Sequence, residues 1–189
     1  MHPDSFLLSL REGLLRARRQ EIHIDGFAPA AVLVPLLQAG DTMEILLTRR
    51  TDEVETHKGQ ISFPGGMVEE SDRGPEHTAL REAEEELGLS PSSVTILGML
   101  DDHVIPTGFV ITPVVGLLRG VPTLTPNPRE VADVFSVPLS LFADETRVRR
   151  EERQFLGRVN DVWFYDTGKY VVWGATAAVI RSLIQRAAS

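Results

Sequence analysis

Cysteine is missing from all 189 residues of the chain. Disulfides, a thiolate zinc site and a cysteine nucleophile are thereby excluded. A reducing, cytoplasmic location is the expectation that fits. No apolar run approaches the roughly 20 residues that cross a bilayer, and the start lacks the basic region, apolar block and cleavage pattern of a secretory leader. No membrane partner is expected, and the chain is expected to begin near Met1. An excess of positive charge is lacking too: 27 acidic residues outweigh 19 basic ones, for a formal charge of −8. Nothing in that balance attracts nucleic acid in general, so an anionic ligand needs a local device. Repeats and low-complexity linkers are also absent. With 42% hydrophobic residues, the length suits a single domain over 1–189, as a monomer or homodimer.

What the chain does contain is patterned. "SFLLSLREGLLRARRQ" predicts an amphipathic helix over about 5–19, with Phe6, Leu7, Leu10, Leu14 and Leu15 on one side. Asp4 and Glu12 set it apart from an organellar presequence, so a docked helix is expected. "AAVLVPLL" (30–37) and "MEILLTRR" (43–50) flank the turn signal "QAGDT" and predict a hairpin. Further strands are predicted at 59–63, 93–100, 109–118 and 131–139. "PLSLFAD" predicts a helical turn, and "RVRREERQFL" with "VWFYDT" a β pair. A helix follows over about 174–187. Between these, "PGGMVEESDRG" predicts a loop whose glycines permit positive φ and close approach. Trp163 and Trp173 are expected in the core. Strands outnumber helices, and helices come before, amid and after them, so the expected class is α/β with a mixed sheet covered on both faces.

The segment 75–87 raises a question of charge. Pro75 suits a first helical turn and Gly88 a C-terminal cap. Ala79, Leu80, Ala83 and Leu87 then share one side at 100° per residue, while Thr78, Glu82, Glu85 and Glu86 share the neighbouring sector. Like charges four apart repel by roughly 0.2–0.5 kcal/mol per pair. A solvated charged face is the ordinary explanation of such a run. The alternative is that Glu82, Glu86 and Glu85 share a hard divalent cation such as magnesium, which takes oxygen ligands and leaves positions for phosphate. Arg81 can orient Glu85 through an i,i+4 contact, and backbone N–H groups at Gly65 and Gly66 suit a phosphate.

"GGMVEESDRGPEHTALREAEEELGL" resembles the Nudix box: glycine, five residues, glutamate, seven residues, then Arg-Glu-apolar-any-Glu-Glu-any-Gly-apolar. Residues 81–89 match its last part in full. The first part departs, with Asp72 in place of glutamate and eight residues before Arg81. That extra residue is similar to the coenzyme A pyrophosphatase branch, which pairs the box with LLTxR, GQ and FPGG. Here stand Leu46, Leu47, Thr48 and Arg50, then "HKGQISFPGG", while Glu55 replaces the branch's usual arginine.

The resemblance implies a Nudix-type α/β/α sandwich with the box at 66–89, Mg2+ or Mn2+ as cofactor, and hydrolysis of a nucleoside diphosphate derivative. Coenzyme A is the first expectation as substrate. ADP-ribose, NADH, or a module that senses a nucleotide without cleaving it are the alternatives. The implied roles are metal ligation by Glu82, Glu86 and Glu85, and catalysis by Glu82, Glu85 and Arg81. Substrate binding falls to Arg50, His57, Lys58, Gly65 and Gly66, with Glu130 as a possible extra acid.

Overall fold

The computed structural model describes residues 2–51, 59–120 and 122–188. Helix α1 (Pro3–Arg16) leads into the long hairpin β1 (Ala28–Ala39) and β2 (Thr42–Arg50), then β3 (Ile61–Ser62), β4 (Gly65–Met67) and α2 (Pro75–Leu87). β5 (Val94–Met99), β6 (His103–Ile105), β7 (Phe109–Leu118) and β8 (Val131–Pro138) complete the main sheet. The short α3 (Leu139–Phe142), the strands β9 (Val148–Phe155), β10 (Arg158–Asp166) and β11 (Val171–Trp173), and α4 (Gly174–Ala188) follow.

β1 is buried on both faces because the sheet lies between two helical layers. Its side chains alternate: Ala31 and Leu33 enter the core under α2 with Ala79, Ala83 and Leu87, while Val34 and Leu36 enter the core under α1 and α4 with Leu10 and Ile180. β1 runs parallel to β7 and antiparallel to β2 and β4, so the sheet is mixed. Its order is β3-β2-β1-β7-β5, with β4 beside β1, β6 beside β7 and β8 beside β2. One end of the sheet therefore gathers the start of β1, the end of β2, β4 and the start of β8.

Several expectations need correction. Gly65–Met67, predicted as loop, pairs with Ala30–Val32 as β4, because the N-terminal half of β1 is left open by β2, which pairs only with residues 36–39. The strand predicted over 59–63 is confined to Ile61–Ser62. α1 ends at Arg16 rather than 19; the Arg19 guanidinium instead donates to Asp102 and Thr112. β9, β10 and β11 form a separate three-stranded sheet. Its Leu156–Gly157 loop has positive φ at both residues, the primed turn that matches strand twist. Trp173 is not in the core. It is 36% exposed and stacks on Phe164 at 5.7 Å, because β11 turns that position outward. Trp163 is partly buried, with the Arg181 guanidinium 3.9 Å above its ring.

Candidate active site

The acids of α2 are held by its apolar stripe. Ala79, Ala83 and Leu87 are fully buried, which fixes the helix rotation and sends Glu86 inward to 2% exposure. Gly88 caps the helix with φ 64°, a left-handed conformation that suits glycine. Arg50 Nη1 lies 3.5 Å from Glu86 Oε1, and the nearby Gly65 N–H adds a small further bias toward the charged carboxylate. Burial nevertheless dominates and pushes Glu86 up to about 8, with Glu82 and Glu130 adding repulsion against the Arg50 charge. Glu82 is likewise raised, first by burial, with Glu85 and Glu130 repelling it and Arg81 opposing the shift.

Arg81 organises the cluster. Its Nη1 donates to Glu82 Oε1 at 2.9 Å and to Glu85 Oε2 at 3.1 Å. Nη2 donates to the Met67 carbonyl at 3.1 Å and to Asp72 Oδ2 at 3.0 Å, and Nε donates to Asp72 Oδ1 at 3.2 Å. Every nitrogen of the guanidinium is thus engaged by the protein, which makes Arg81 a positioning residue in this geometry. Asp72, the box position that departs from glutamate, is its anchor. The Asp72 side chain has no solvent exposure and also accepts from Thr78 Oγ1, the Glu69 N–H and His77 Nδ1. The Arg81 hydrogen bonds hold its carboxyl well below the usual carboxylate range.

Of the two properties expected of the glycine pair, the structure uses close approach and not positive φ. Neither glycine adopts positive φ. A Cβ on Gly66 would come within 2.3 Å of Glu82 Oε1, and one on Gly65 within 2.4 Å of the Ala31 carbonyl. Close packing accounts for both residues. Thr48 of the LLTRR stretch ties β2 to β3 through the Ser62 carbonyl at 3.1 Å. A register shift between Arg49 and Arg50 follows, of the kind that re-aims a side chain.

Glu130 joins the cluster from the turn before β8. Asn127 Nδ2 donates to Glu130 Oε1 at 2.9 Å. The turn is clasped on both sides, by the Thr51 N–H on the Glu130 carbonyl and the Asn127 N–H on the Glu86 carbonyl. Sequence reasoning missed Asn127, His77 and the Met67 carbonyl, since their roles depend on tertiary contacts. Thr78 was visible only as a member of the acidic sector. His57, Lys58 and Glu55 lie outside the described residues.

Among the described residues, no three His, Asp or Glu side chains stand close enough to hold an ion as they are. The donor chemistry still fits a hard divalent cation. Glu82, Glu86, Glu85 and Glu130 offer only carboxylate oxygens, and burial with mutual repulsion raises Glu82 and Glu86, a cost that a cation would relieve.

The NUDIX domain family matches residues 27–159 of the chain. The chain belongs to the Nudix hydrolase family. Among Nudix relatives, "Nudix hydrolase 15, mitochondrial" of Arabidopsis thaliana is 39% identical over 165 residues, covering 82% of this chain and 58% of that protein. The chain thus spans less than two thirds of that relative's length. "Uncharacterized Nudix hydrolase NudL" of Pectobacterium atrosepticum is 41% identical, covering 82% of this chain and 80% of the other. Among solved structures, the M. Smegmatis Nudix hydrolase RenU superposes with a TM-score of 0.53 at 25% identity, over 64% of this chain and 76% of that one. No helix among the described residues is long and apolar enough to cross a membrane.

Proposed function

We propose that this Nudix chain hydrolyses the diphosphate of coenzyme A and its derivatives, giving phosphopantetheine and adenosine 3′,5′-bisphosphate. The observation that carries the reading is the coupling of the two sequence signatures. Arg50 of the LLTRR stretch contacts Glu86 of the box, and Gly66 of FPGG lies against Glu82. One carboxylate cluster therefore depends on both.

In this reading Glu82 and Glu86, with Glu85 and Glu130 at the rim, would hold Mg2+ or Mn2+. When bound, the metal neutralises diphosphate charge and acidifies water. Water oxygen bonds to one phosphorus as the bridging P–O bond breaks, and the proton passes to a carboxylate with an uncommitted oxygen, among Glu82, Glu85 and Glu130. Arg81 and Asp72 keep the acids in position. Arg50 has a buried Nε with no partner among the described residues, and its contact with Glu86 favours a role beside the diphosphate over one at the 3′-phosphate.

The test is a substrate panel with Mg2+ and product identification by mass. Coenzyme A should show higher kcat/KM than ADP-ribose or NADH. Comparable values would replace the coenzyme A reading with a broader dinucleotide hydrolase, and binding without turnover would identify a sensor.

A further inference from the structure

Asn127 stands between the end of α2 and the start of β8, and all four of its polar groups are engaged. Its N–H donates to the Glu86 carbonyl at 2.8 Å, beside the Thr125 N–H on the Leu87 carbonyl at 2.7 Å. The last carbonyls of a helix have no partner inside it, so the segment 125–127 docks on α2 by filling that need. The Asn127 carbonyl then accepts from the Glu130 N–H at 3.1 Å and from the Val131 N–H at 2.9 Å. That closes a turn over 127–130 with asparagine first and Pro128 second, places that both residues favour.

The carboxamide adds two contacts of opposite kind. Oδ1 accepts from the Arg129 N–H at 3.2 Å, and Nδ2 donates to Glu130 Oε1 at 2.9 Å. A donor on one side and an acceptor on the other fix which way the amide points. Glu130 has no other side-chain hydrogen bond among the described residues, which leaves its Oε2 uncommitted. The other three acids are held by arginine: Glu82 and Glu85 by Arg81, and Glu86 by Arg50. A guanidinium competes with any cation or proton for the carboxylate it holds, and a neutral amide competes far less. Asn127 therefore orients its acid without neutralising it. Glu82 and Glu86 are both repelled by the Glu130 charge, so the carboxylate that Asn127 holds belongs to their cluster.

We infer that Asn127 is a positioning residue of the diphosphate site: its carboxamide locks Glu130 by one oxygen and leaves the other available to the cluster. A free glutamate loses rotamer entropy when it is ordered, and Asn127 imposes that order before substrate arrives. The inference rests on the reading of these acids as the hydrolytic site, and not on coenzyme A as the substrate.

Two measurements test it, one without metal or turnover. The chain holds two asparagines, Asn127 and Asn160, so 15N-asparagine labelling gives two side-chain amide signals, which Asn160→Gln assigns. In metal-free protein, Glu130→Gln should move the Asn127 amide signal and leave that of Asn160 in place. An Asn127 signal that ignores Glu130→Gln would overturn the inference. The second measurement is a double-mutant cycle in steady state. Asn127→Asp keeps the acceptor for the Arg129 N–H and replaces only the donor, so Tm in EDTA should stay within about 4 °C of native. With Mg2+, and whichever of coenzyme A, ADP-ribose or NADH the native protein turns over best, Asn127→Asp should lower kcat at least about tenfold, the scale of one hydrogen bond to a charged group. KM should stay within about threefold. In a Glu130→Gln background the same substitution should lower kcat by less than about twofold, because residues acting through one group are not additive. Equal losses in both backgrounds, or near-native kcat in Asn127→Asp, would overturn the inference and keep the proposed function. No turnover of any substrate in the panel would sink the proposed function, and the amide signal would then decide the inference by itself, as it would if Asn127→Asp unfolds.

Discussion

Glu86 sits where burial, two neighbouring acids and one arginine compete, and burial prevails. Glu86→Gln and Glu82→Gln should each lower turnover by at least about a hundredfold, as loss of positioned charge does. Glu84 is exposed on the same helix, and Glu84→Gln should leave kcat within about twofold; near-normal turnover in either of the first two variants at saturating Mg2+ would refute their roles. The raised Glu86 also has a signature in stability. Between the ordinary value of 4.5 and the folded value of about 8, the native carboxyl keeps a proton that the unfolded chain has released. The native state therefore binds more protons, and stability must fall as pH rises through that window. Melting in EDTA should show Tm declining from pH 5 to 8, with a shallower decline in Glu86→Gln. Parallel declines in both proteins would mean that Glu86 is not the titrating group. The residue scale was partly legible: the spacing of Glu82, Glu85 and Glu86 showed their shared sector, and the i,i+4 contact of Arg81 with Glu85 is present at 3.1 Å. Asp72 was not legible as an anchor, because its burial comes from a loop folding back on Thr78 and His77.

At the scale of elements, two close approaches hold the layers. β4 lies so near α2 that a Cβ on Gly66 would displace the Glu82 carboxylate. On the other face, α1 meets α4 at Gly13, where a Cβ would fall 1.9 Å from the Arg186 carbonyl. Arg186 ties the same crossing together by donating to the Ala17 carbonyl at 2.9 Å. Gly13→Ala should destabilise the fold by about 1–3 kcal/mol through overpacking, despite alanine's better helix propensity. Urea titration measures this directly, and an unchanged or raised midpoint would show that the helices shift apart without cost. The hairpin of β1 and β2, the helix over 75–87 and the pair β9 and β10 were all readable from alternation, helical spacing and turn residues. β6 was not, because three residues between two turns carry no period. β4 was concealed by its glycines, which signal loop when read alone and close strand packing when β1 is beside them.

For the whole molecule, 27 acidic residues against 19 basic ones make the Nudix acids a local concentration of a general excess. A divalent cation bound only by the folded state would stabilise it by mass action. Millimolar Mg2+ or Mn2+ should therefore raise Tm, with the gain largely lost in Glu82→Gln and Glu86→Gln; an unchanged Tm in the native protein would remove metal from the proposed site. Composition and local pattern alone determined that the chain is an α/β protein with helices on both sheet faces, and where the acidic helix begins and ends. These properties are local: periodicity, caps and turns act within a few residues. Only the tertiary structure decided that Arg81 is spent on Asp72, Glu82 and Glu85, that Arg50 faces Glu86, and that Glu130 arrives from a turn 44 positions beyond Glu86. It also decided that Trp173 faces outward. Those relations join residues distant in sequence, and their physical cause is sheet register and layer packing, which no short window of sequence contains.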